Sequence, residues 1–199
     1  MRRCPLPTFP RSWAGFGRCK VLCAPRALEF AILTAARSGE VLGARWEEID
    51  QRDKVWTVPA GRMKAGREHR VPLSLRATAI IEEMQRARLS EFVFPGFKRG
   101  QPLSNMALEA VLRRAKVDVT THGFRSSFRD WAGDSTAFAR DVVEAALAHA
   151  VENKTEAAYR RSDALEKRRK LMAAWSAYCN SAPIKARGNV MPLRPVARI

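Results

Sequence analysis

The sequence lacks the long apolar runs and the paired cysteines that mark membrane and secreted proteins. No apolar stretch approaches the length of a membrane span. Of the four cysteines, Cys4, Cys19 and Cys23 lie in an unpatterned N-terminal stretch, and the Cys19–Cys23 spacing has no second ligand pair to complete a zinc site. We therefore expect a reduced, cytoplasmic protein with no membrane partner.

Acidic residues are missing from both ends of the chain. Residues 1–25 and 181–199 hold nine of the 36 Lys and Arg residues and none of the 20 Asp and Glu residues. The middle therefore keeps seven more bases than acids, within a net charge of +16 for the whole chain. Because residues 26–180 stay basic without the two ends, we expect a polyanionic partner, and a nucleic acid rather than a membrane. A basic protein from a basic proteome is the alternative.

The 199 residues suffice for one domain with a substantial core. Prolines interrupt any helix near the N-terminus, and no core pattern precedes Pro25. We interpret residues 1–24 as a disordered basic lead-in, 25–180 as the folded domain and 181–199 as a flexible basic tail.

Helical periodicity dominates the folded part. Apolar residues at helical spacing predict a first helix from Pro25 that ends near Gly39, and a short helix over 40–46. Ser74 and Ser104 are candidate N-caps of two further helices. Later helices are expected at about 122–132, 138–149 and 163–179, the last with Asp163 and Glu166 at capping-box spacing.

Period-two alternation marks two strands, "VWTVP" (55–59) and "EHRVPLS" (68–74), joined by the basic turn "AGRMKAGR". The predicted fold class is therefore α+β, mainly helical, with one small antiparallel sheet.

Several polar residues have no evident role in such a scaffold. Each has a structural explanation: a cation at a helix end, a solvated turn residue, an ion-pair partner or a rim aromatic. Together, two arginines, a lysine and two histidines supply the donors that a phosphate needs while charge builds on its oxygens. A tyrosine among small and cationic residues, Tyr159, can serve as a covalent nucleophile. No carboxylate cluster supplies a metal site, so side chains must neutralise the charge.

Four stretches, "AARSGEVLGARWEEID", "MKAGREHRVPLS", "THGFRSSF" and "LAHAVENKTEAAYRRSD", resemble the catalytic domain of tyrosine recombinases, in particular phage and P4-like integrases. The resemblance covers about residues 25–180. The family signature is an arginine, a lysine on a β-hairpin, a His-x-x-Arg box, a second histidine or tryptophan, and a tyrosine. All six positions are filled in order, by Arg37, Lys64, His122, Arg125, His149 and Tyr159. Glu40 matches an acidic position of the family.

The resemblance implies a mechanism that needs neither metal nor cofactor. Tyr159 attacks a phosphodiester of double-stranded DNA, forming a 3′-phosphotyrosyl bond and releasing a 5′-hydroxyl. Arg37, Arg125 and His149 hold the phosphate, His122 acts as general acid/base, and Lys64 protonates the leaving oxygen. Glu40 orients the His122/Arg125 pair.

Complete members of that family place a helical core-binding domain before the catalytic domain, and nothing before Pro25 has such a pattern. We therefore interpret the chain as the catalytic half of an integrase from a mobile element or prophage, truncated before its catalytic domain. This interpretation retains the phosphoryl-transfer chemistry and leaves autonomous recombination open. Two alternatives stay open: an inactive remnant that only binds DNA, and a type IB topoisomerase-like enzyme. The resemblance also implies self-association on DNA through the C-terminal helix or tail, in the bacterial cytoplasm at the nucleoid.

Overall fold

A computed structural model describes residues 23–149 and 164–181. One apolar helix, α1 (Cys23–Thr34), lies at the centre of the molecule, and eight of its twelve residues are buried. A helix that is apolar on most faces is stable only when other elements surround it. α1 packs against four other helices of the chain, and Phe30 on it contacts the rings of Trp56 and Phe94, with centroids 5.4 and 5.5 Å apart.

Six α-helices follow α1 in the described residues, with 3₁₀ turns at Trp46–Glu48 and Ala60–Arg62. These helices are α2 (Ser38–Leu42), α3 (Leu75–Arg86), α4 (Ala107–Arg114), α5 (Gly123–Ser135), α6 (Arg140–Ala146) and α7 (Leu165–Asn180). None of the helices in the described ranges is both long and apolar enough to cross a membrane.

The sheet has three antiparallel strands in the order β1 (Ile49–Asp50), β2 (Val55–Val58) and β3 (His69–Pro72). The pairs Val58↔His69 and Val55↔Pro72 bound the β2–β3 ladder. The predicted hairpin and the predicted α+β class, mainly helical with a small antiparallel sheet, are confirmed.

Helix α7 is part of the domain core. Leu171 and Trp175 are buried, and α7 packs against α1, β3 and α6. The Trp175 indole N–H donates to the carbonyl of Ile32 at 2.7 Å, and its ring lies edge-on to Phe128. The apolar face of α7 is therefore covered by its own chain.

Several expected boundaries were wrong. The first helix ends at Thr34, where Ala35 turns the chain with φ 49°, and Gly39, near which the end is expected from sequence, lies inside α2. Ser74 does cap α3, accepting from the Ala77 amide, but Ser104 offers only its backbone carbonyl, to the Ala107 amide.

The last helix also begins differently. Its N-cap is Ala164, without a side-chain cap, and Glu166 pairs with Arg169 at 2.9 Å. The other half of the expected capping box, Asp163, lies outside the described residues.

Candidate active site

Arg37 stands at the start of α2, where Glu40 fixes it. The Arg37 guanidinium donates to one Glu40 carboxylate oxygen at 2.7 Å, and the Arg37 amide donates to the other at 2.9 Å. Glu40 is buried and Arg37 is partly exposed. Arg37 therefore begins α2, whereas a first helix that ended near Gly39 would have contained it. The Glu40 carboxylate accepts from one guanidinium nitrogen, Nη1, and the partly exposed remainder of the Arg37 guanidinium is available to an anion.

Arg125 is buried between the ends of two helices. Its guanidinium donates to the Ala35 carbonyl after α1 and, at 2.7 Å, to the Leu147 carbonyl after α6. Helix C-terminal carbonyls carry partial negative charge, so they suit a cation. Burial lowers the pKa of Arg125 to about 10, Arg37 acts in the same direction, and Glu40 opposes both. Arg125 therefore stays charged at neutral pH while it and Arg37 repel each other.

His149 is positioned by the turn that ends α6. Ala148 adopts φ 51°, and the amides of Ala148 and His149 donate to the carbonyls of Ala145 and Glu144, the two bonds of a Schellman turn. The His149 ring nitrogen Nδ1 also lies 2.5 Å from a Glu144 carboxylate oxygen. Arg129 and His149 both hydrogen-bond to Glu144, which outweighs burial and lowers the pKa of that carboxyl. Glu144 thus orients His149, a role that the sequence reading missed.

Lys64 lies on the exposed loop between β2 and β3, and the residues before it are anchored. Arg62 donates to both carboxylate oxygens of buried Glu48, at 2.6 and 2.9 Å, and to two main-chain carbonyls at the end of α2. Glu48 also accepts from the Trp56 indole at 3.0 Å, and Met63 is buried. The loop that presents Lys64 is therefore fastened to the helix that begins after Arg37.

His122 precedes α5 and is exposed, one turn before Arg125. Its neighbour Thr121 is buried and donates through its amide and hydroxyl to Glu109 on α4, at 3.1 and 2.8 Å. This contact fixes the backbone from which the His122 side chain projects.

His69 is a buried residue of this site that the sequence reading did not single out. Burial lowers its pKa to about 4, and Arg168 and Arg125 contribute in the same direction, against Glu40 and a hydrogen bond to the Ala146 carbonyl. The only signal in the sequence is its alternation with Val71 on a strand, which predicts an inward side chain without chemistry.

The structure brings Arg37, Glu40, Arg125 and His69 together and places the His149 turn beside Arg125. The hydrogen bonds of Glu40 go to Arg37, so its predicted orientation of the His122/Arg125 pair stays a prediction. Lys64 and His122 are exposed and their chain neighbours are anchored, so their membership of the site stays a prediction. Tyr159 lies outside the described residues. Within the described ranges, no group of three His, Cys, Asp or Glu side chains could hold a metal ion. The assembled groups suit an anion with several oxygens.

The sequence profile of the phage integrase family matches residues 18–166. The chain belongs to the phage integrase family. It is 43% identical over 149 residues to prophage integrase IntA of Escherichia coli K12, covering 73% of this chain and 36% of that protein. It is 33% identical over 171 residues to the integrase of enterobacteria phage P4, covering 76% of this chain and 39% of that integrase. The chain therefore spans less than half the length of these relatives.

Two solved integrases share the fold. The integrase from mycobacterium phage Brujita superposes with a TM-score of 0.60 at 21% identity, over 80% of this chain and 53% of that one. A lambda integrase tetramer bound to a Holliday junction gives 0.51 at 19% identity, over 66% of this chain and 42% of that one. The predicted tyrosine-recombinase-like fold of this phage integrase family member is confirmed.

Proposed function

We propose that this chain is the catalytic domain of a DNA integrase that breaks and rejoins double-stranded DNA through a 3′-phosphotyrosine intermediate. The observation that carries the proposal is the arginine pair. Glu40 holds Arg37, and two helix-end carbonyls hold Arg125. The two guanidinium groups repel each other, and the Glu40 carboxylate offsets part of that repulsion. A bound phosphodiester relieves that repulsion and accepts hydrogen bonds from both guanidinium groups.

The chemistry follows from the proposed roles of the remaining residues. The Tyr159 phenol oxygen attacks phosphorus and forms the P–O bond while the bond to the 5′-oxygen breaks. His122 accepts the phenol proton, Lys64 gives a proton to the departing 5′-oxygen, and His149 donates to a non-bridging oxygen. Attack by a 5′-hydroxyl on the phosphotyrosine reverses each step, so rejoining consumes no cofactor.

A covalent-trapping experiment tests this proposal. The protein is incubated with a pool of nicked suicide duplexes of randomised sequence, in which loss of a short 5′-fragment prevents religation. We expect a protein–DNA adduct that survives SDS, forms in EDTA and vanishes in Tyr159→Phe. Tyr178→Phe is the matched control, because Tyr178 is the second of the two tyrosines and is partly exposed at the end of α7. An adduct that persists in Tyr159→Phe contradicts the assigned nucleophile.

We further propose that copies of the chain associate on DNA, through α7 or residues 181–199, at the nucleoid in the bacterial cytoplasm. The similar lambda integrase forms a tetramer on a Holliday junction. Because Leu171 and Trp175 of α7 are covered by the chain itself, association through the helix requires either its exposed side or its exchange between copies. Sedimentation with and without duplex DNA is compared for the full chain and for a chain that ends at residue 181. Association that persists in the shorter chain assigns the contact to α7, and association that is lost assigns it to the C-terminal tail.

A further inference from the structure

The Glu144 carboxylate lies between two basic side chains. One of its oxygens accepts from Arg129 Nε at 2.8 Å, and the other lies 2.5 Å from Nδ1 of His149. Part burial of Glu144 opposes its ionisation, but the hydrogen bonds to His149 and Arg129 outweigh it and lower the pKa of the carboxyl. Both carboxylate oxygens therefore act as acceptors at neutral pH.

This contact determines which ring nitrogen of His149 carries a proton. An ionised carboxylate only accepts hydrogen bonds, so Nδ1 must donate and must hold the proton. The other nitrogen, Nε2, has no hydrogen-bond partner among the described residues, and the His149 side chain is 40% exposed. Nε2 is thus the ring nitrogen that a bound phosphate can reach. Donation from Nε2 requires a second proton on the ring, whose positive charge then lies beside the Glu144 carboxylate.

Helix α5 joins this pair to the buried arginine of the site. Arg129 follows Arg125 by one turn of α5, and both side chains reach the end of α6. Arg125 donates to the Leu147 carbonyl at 2.7 Å. Two residues further on, the amide of His149 donates to the Glu144 carbonyl at 3.0 Å. Glu144 therefore holds His149 through its main chain and its side chain, next to the turn that supports Arg125.

We infer that Arg129 and Glu144 are positioning residues, which keep a proton on Nδ1 of His149 and balance the charge that the ring bears when Nε2 donates to the scissile phosphate. Arg129 holds the carboxylate in place, and Glu144 holds the ring. This inference rests on the proposed DNA-cleaving function for its kinetic consequences. The proton on Nδ1 is a property of the folded chain without DNA and is measured independently of any activity.

A double-mutant cycle separates an effect on the imidazole from general support of the helix end. Glu144→Ala is made in the wild-type chain and in His149→Trp, because the family signature also allows tryptophan here and an indole N–H donates without a second ring nitrogen. Glu166→Ala is the matched control, since Glu166 is another helical carboxylate paired with an arginine, Arg169, at 2.9 Å. All variants are made in the full chain.

Single-turnover adduct formation at saturating DNA gives the kinetic readout. We expect Glu144→Ala to slow the adduct step by about 10- to 100-fold in the wild-type chain and by less than about threefold in His149→Trp. Arg129→Ala should show the same pattern with a smaller loss in the wild-type chain, because the carboxylate remains. Glu166→Ala should keep the rate. An equal loss from Glu144→Ala in both backgrounds, or no loss in either, overturns the positioning role.

Nitrogen-15 NMR of the imidazole rings tests the same inference without DNA. The chain has three histidines, so the spectrum of His149→Trp identifies the His149 resonances by their loss. At about pH 8, where an exposed imidazole is neutral, Nδ1 of His149 should carry the proton in the wild-type chain. Glu144→Ala should move that proton to Nε2, the usual tautomer of free histidine.

The spectra decide the inference even where His149→Trp forms no adduct. A wild-type ring with its only proton on Nε2, or a tautomer unchanged by Glu144→Ala, refutes the role of Glu144. If the wild-type chain gives the expected spectra and forms no adduct, the proposed function is refuted and the contact of Glu144 with the protonated Nδ1 stands.

Discussion

His69 makes the stability of the folded chain depend on pH. Its pKa in the folded protein is about 4, below the 6.5 of an exposed histidine, because burial and the nearby Arg168 and Arg125 disfavour the protonated ring. Between these two values the unfolded chain binds a proton that the folded chain does not. The contribution of His69 is therefore complete above pH 6.5 and is lost as the pH falls toward 4.

We accordingly expect the free energy of unfolding to fall by about 3 kcal/mol between these pH values on account of this one group. Urea unfolding at a series of pH values measures it. In His69→Gln, which has no titrating ring, this part of the decline should be absent. A wild-type protein whose pH dependence matches that of His69→Gln would show that the ring is not kept neutral by the fold.

Arg37 and Arg125 should respond differently to removal, although the proposed chemistry gives both the same task. Arg37→Ala and Arg125→Ala should each slow adduct formation by about 10²–10³-fold, since each removes a preorganised donor. Only Arg125→Ala should also destabilise the fold strongly, by about 2 kcal/mol, because it leaves the buried carbonyls of Ala35 and Leu147 without their donor. Rate and urea midpoint, measured on the same preparations, check both parts, and equal destabilisation by the two variants would contradict the bridging role.

At the scale of elements, the turn after α6 uses alanine where glycine is the easier residue. Ala148 adopts φ 51°, a left-handed conformation in which a side chain costs free energy. Ala148→Gly should therefore raise the free energy of unfolding by about 1 kcal/mol. The same change inside α6, Ala145→Gly, should lower it by about 1 kcal/mol. Thermal unfolding of the pair gives the comparison, and two changes of the same sign would exclude a left-handed turn at residue 148.

The Lys64 loop permits a test of the leaving-group proton. Lys64→Ala should slow cleavage strongly on an ordinary phosphodiester and much less on a substrate with a 5′-thiolate leaving group, which needs no proton. Arg67→Ala is the control, because Arg67 is an exposed base of the same loop. Single-turnover rates on both substrates measure the difference, and an equal loss on both would remove Lys64 from the general-acid role.

The elements that sequence predicted correctly are those with a local cause. The β2–β3 hairpin follows from alternation, and the start of α3 from the Ser74 hydroxyl, which reaches the Ala77 amide within one turn. β1 has only two residues, which are too few for a periodic signal in the sequence. It forms because it pairs with the edge of β2. The end of α1 was missed because left-handed turns favour glycine, and here alanine occupies one.

Sequence predicted the candidate-site residues that belong to a family motif. It missed the residues whose role depends on tertiary contacts. Resemblance pointed to Arg37 and Arg125, but not to the helix-end carbonyls that hold Arg125. Glu144 and His69 acquire their roles from partners brought close only by folding, so no local pattern marks them.

For the whole molecule, net charge predicts how DNA binding responds to salt. Each phosphate that a base neutralises adds about 0.9 to the slope of log affinity against log salt. We expect the full chain to bind duplexes with little sequence preference and to weaken steeply between roughly 50 and 200 mM salt.

Removing residues 1–17 and 182–199 tests the contribution of the ends, since these stretches hold seven bases and no acid. The slope should become shallower, by up to about 6 if every one of these bases contacts a phosphate. Fluorescence anisotropy across the salt series measures it, and replacement of the same seven bases by glutamine is the control for chain length. A slope unchanged by both variants would place the DNA-binding charge in the folded domain alone.

The bridge made by Arg125 also determines when, during protein synthesis, the anion site can exist. Arg125 reaches back 90 residues to the Ala35 carbonyl and forward 22 residues to that of Leu147. The Trp175 bond to Ile32 spans 143 residues and forms later still. A growing chain therefore carries Arg125 well before the Leu147 carbonyl can hold it, and contacts so distant in sequence form late in folding. Until then the two guanidinium groups cannot hold one phosphate from their folded positions. Limited proteolysis of stalled nascent chains should show a protected domain only once α7 has left the ribosome.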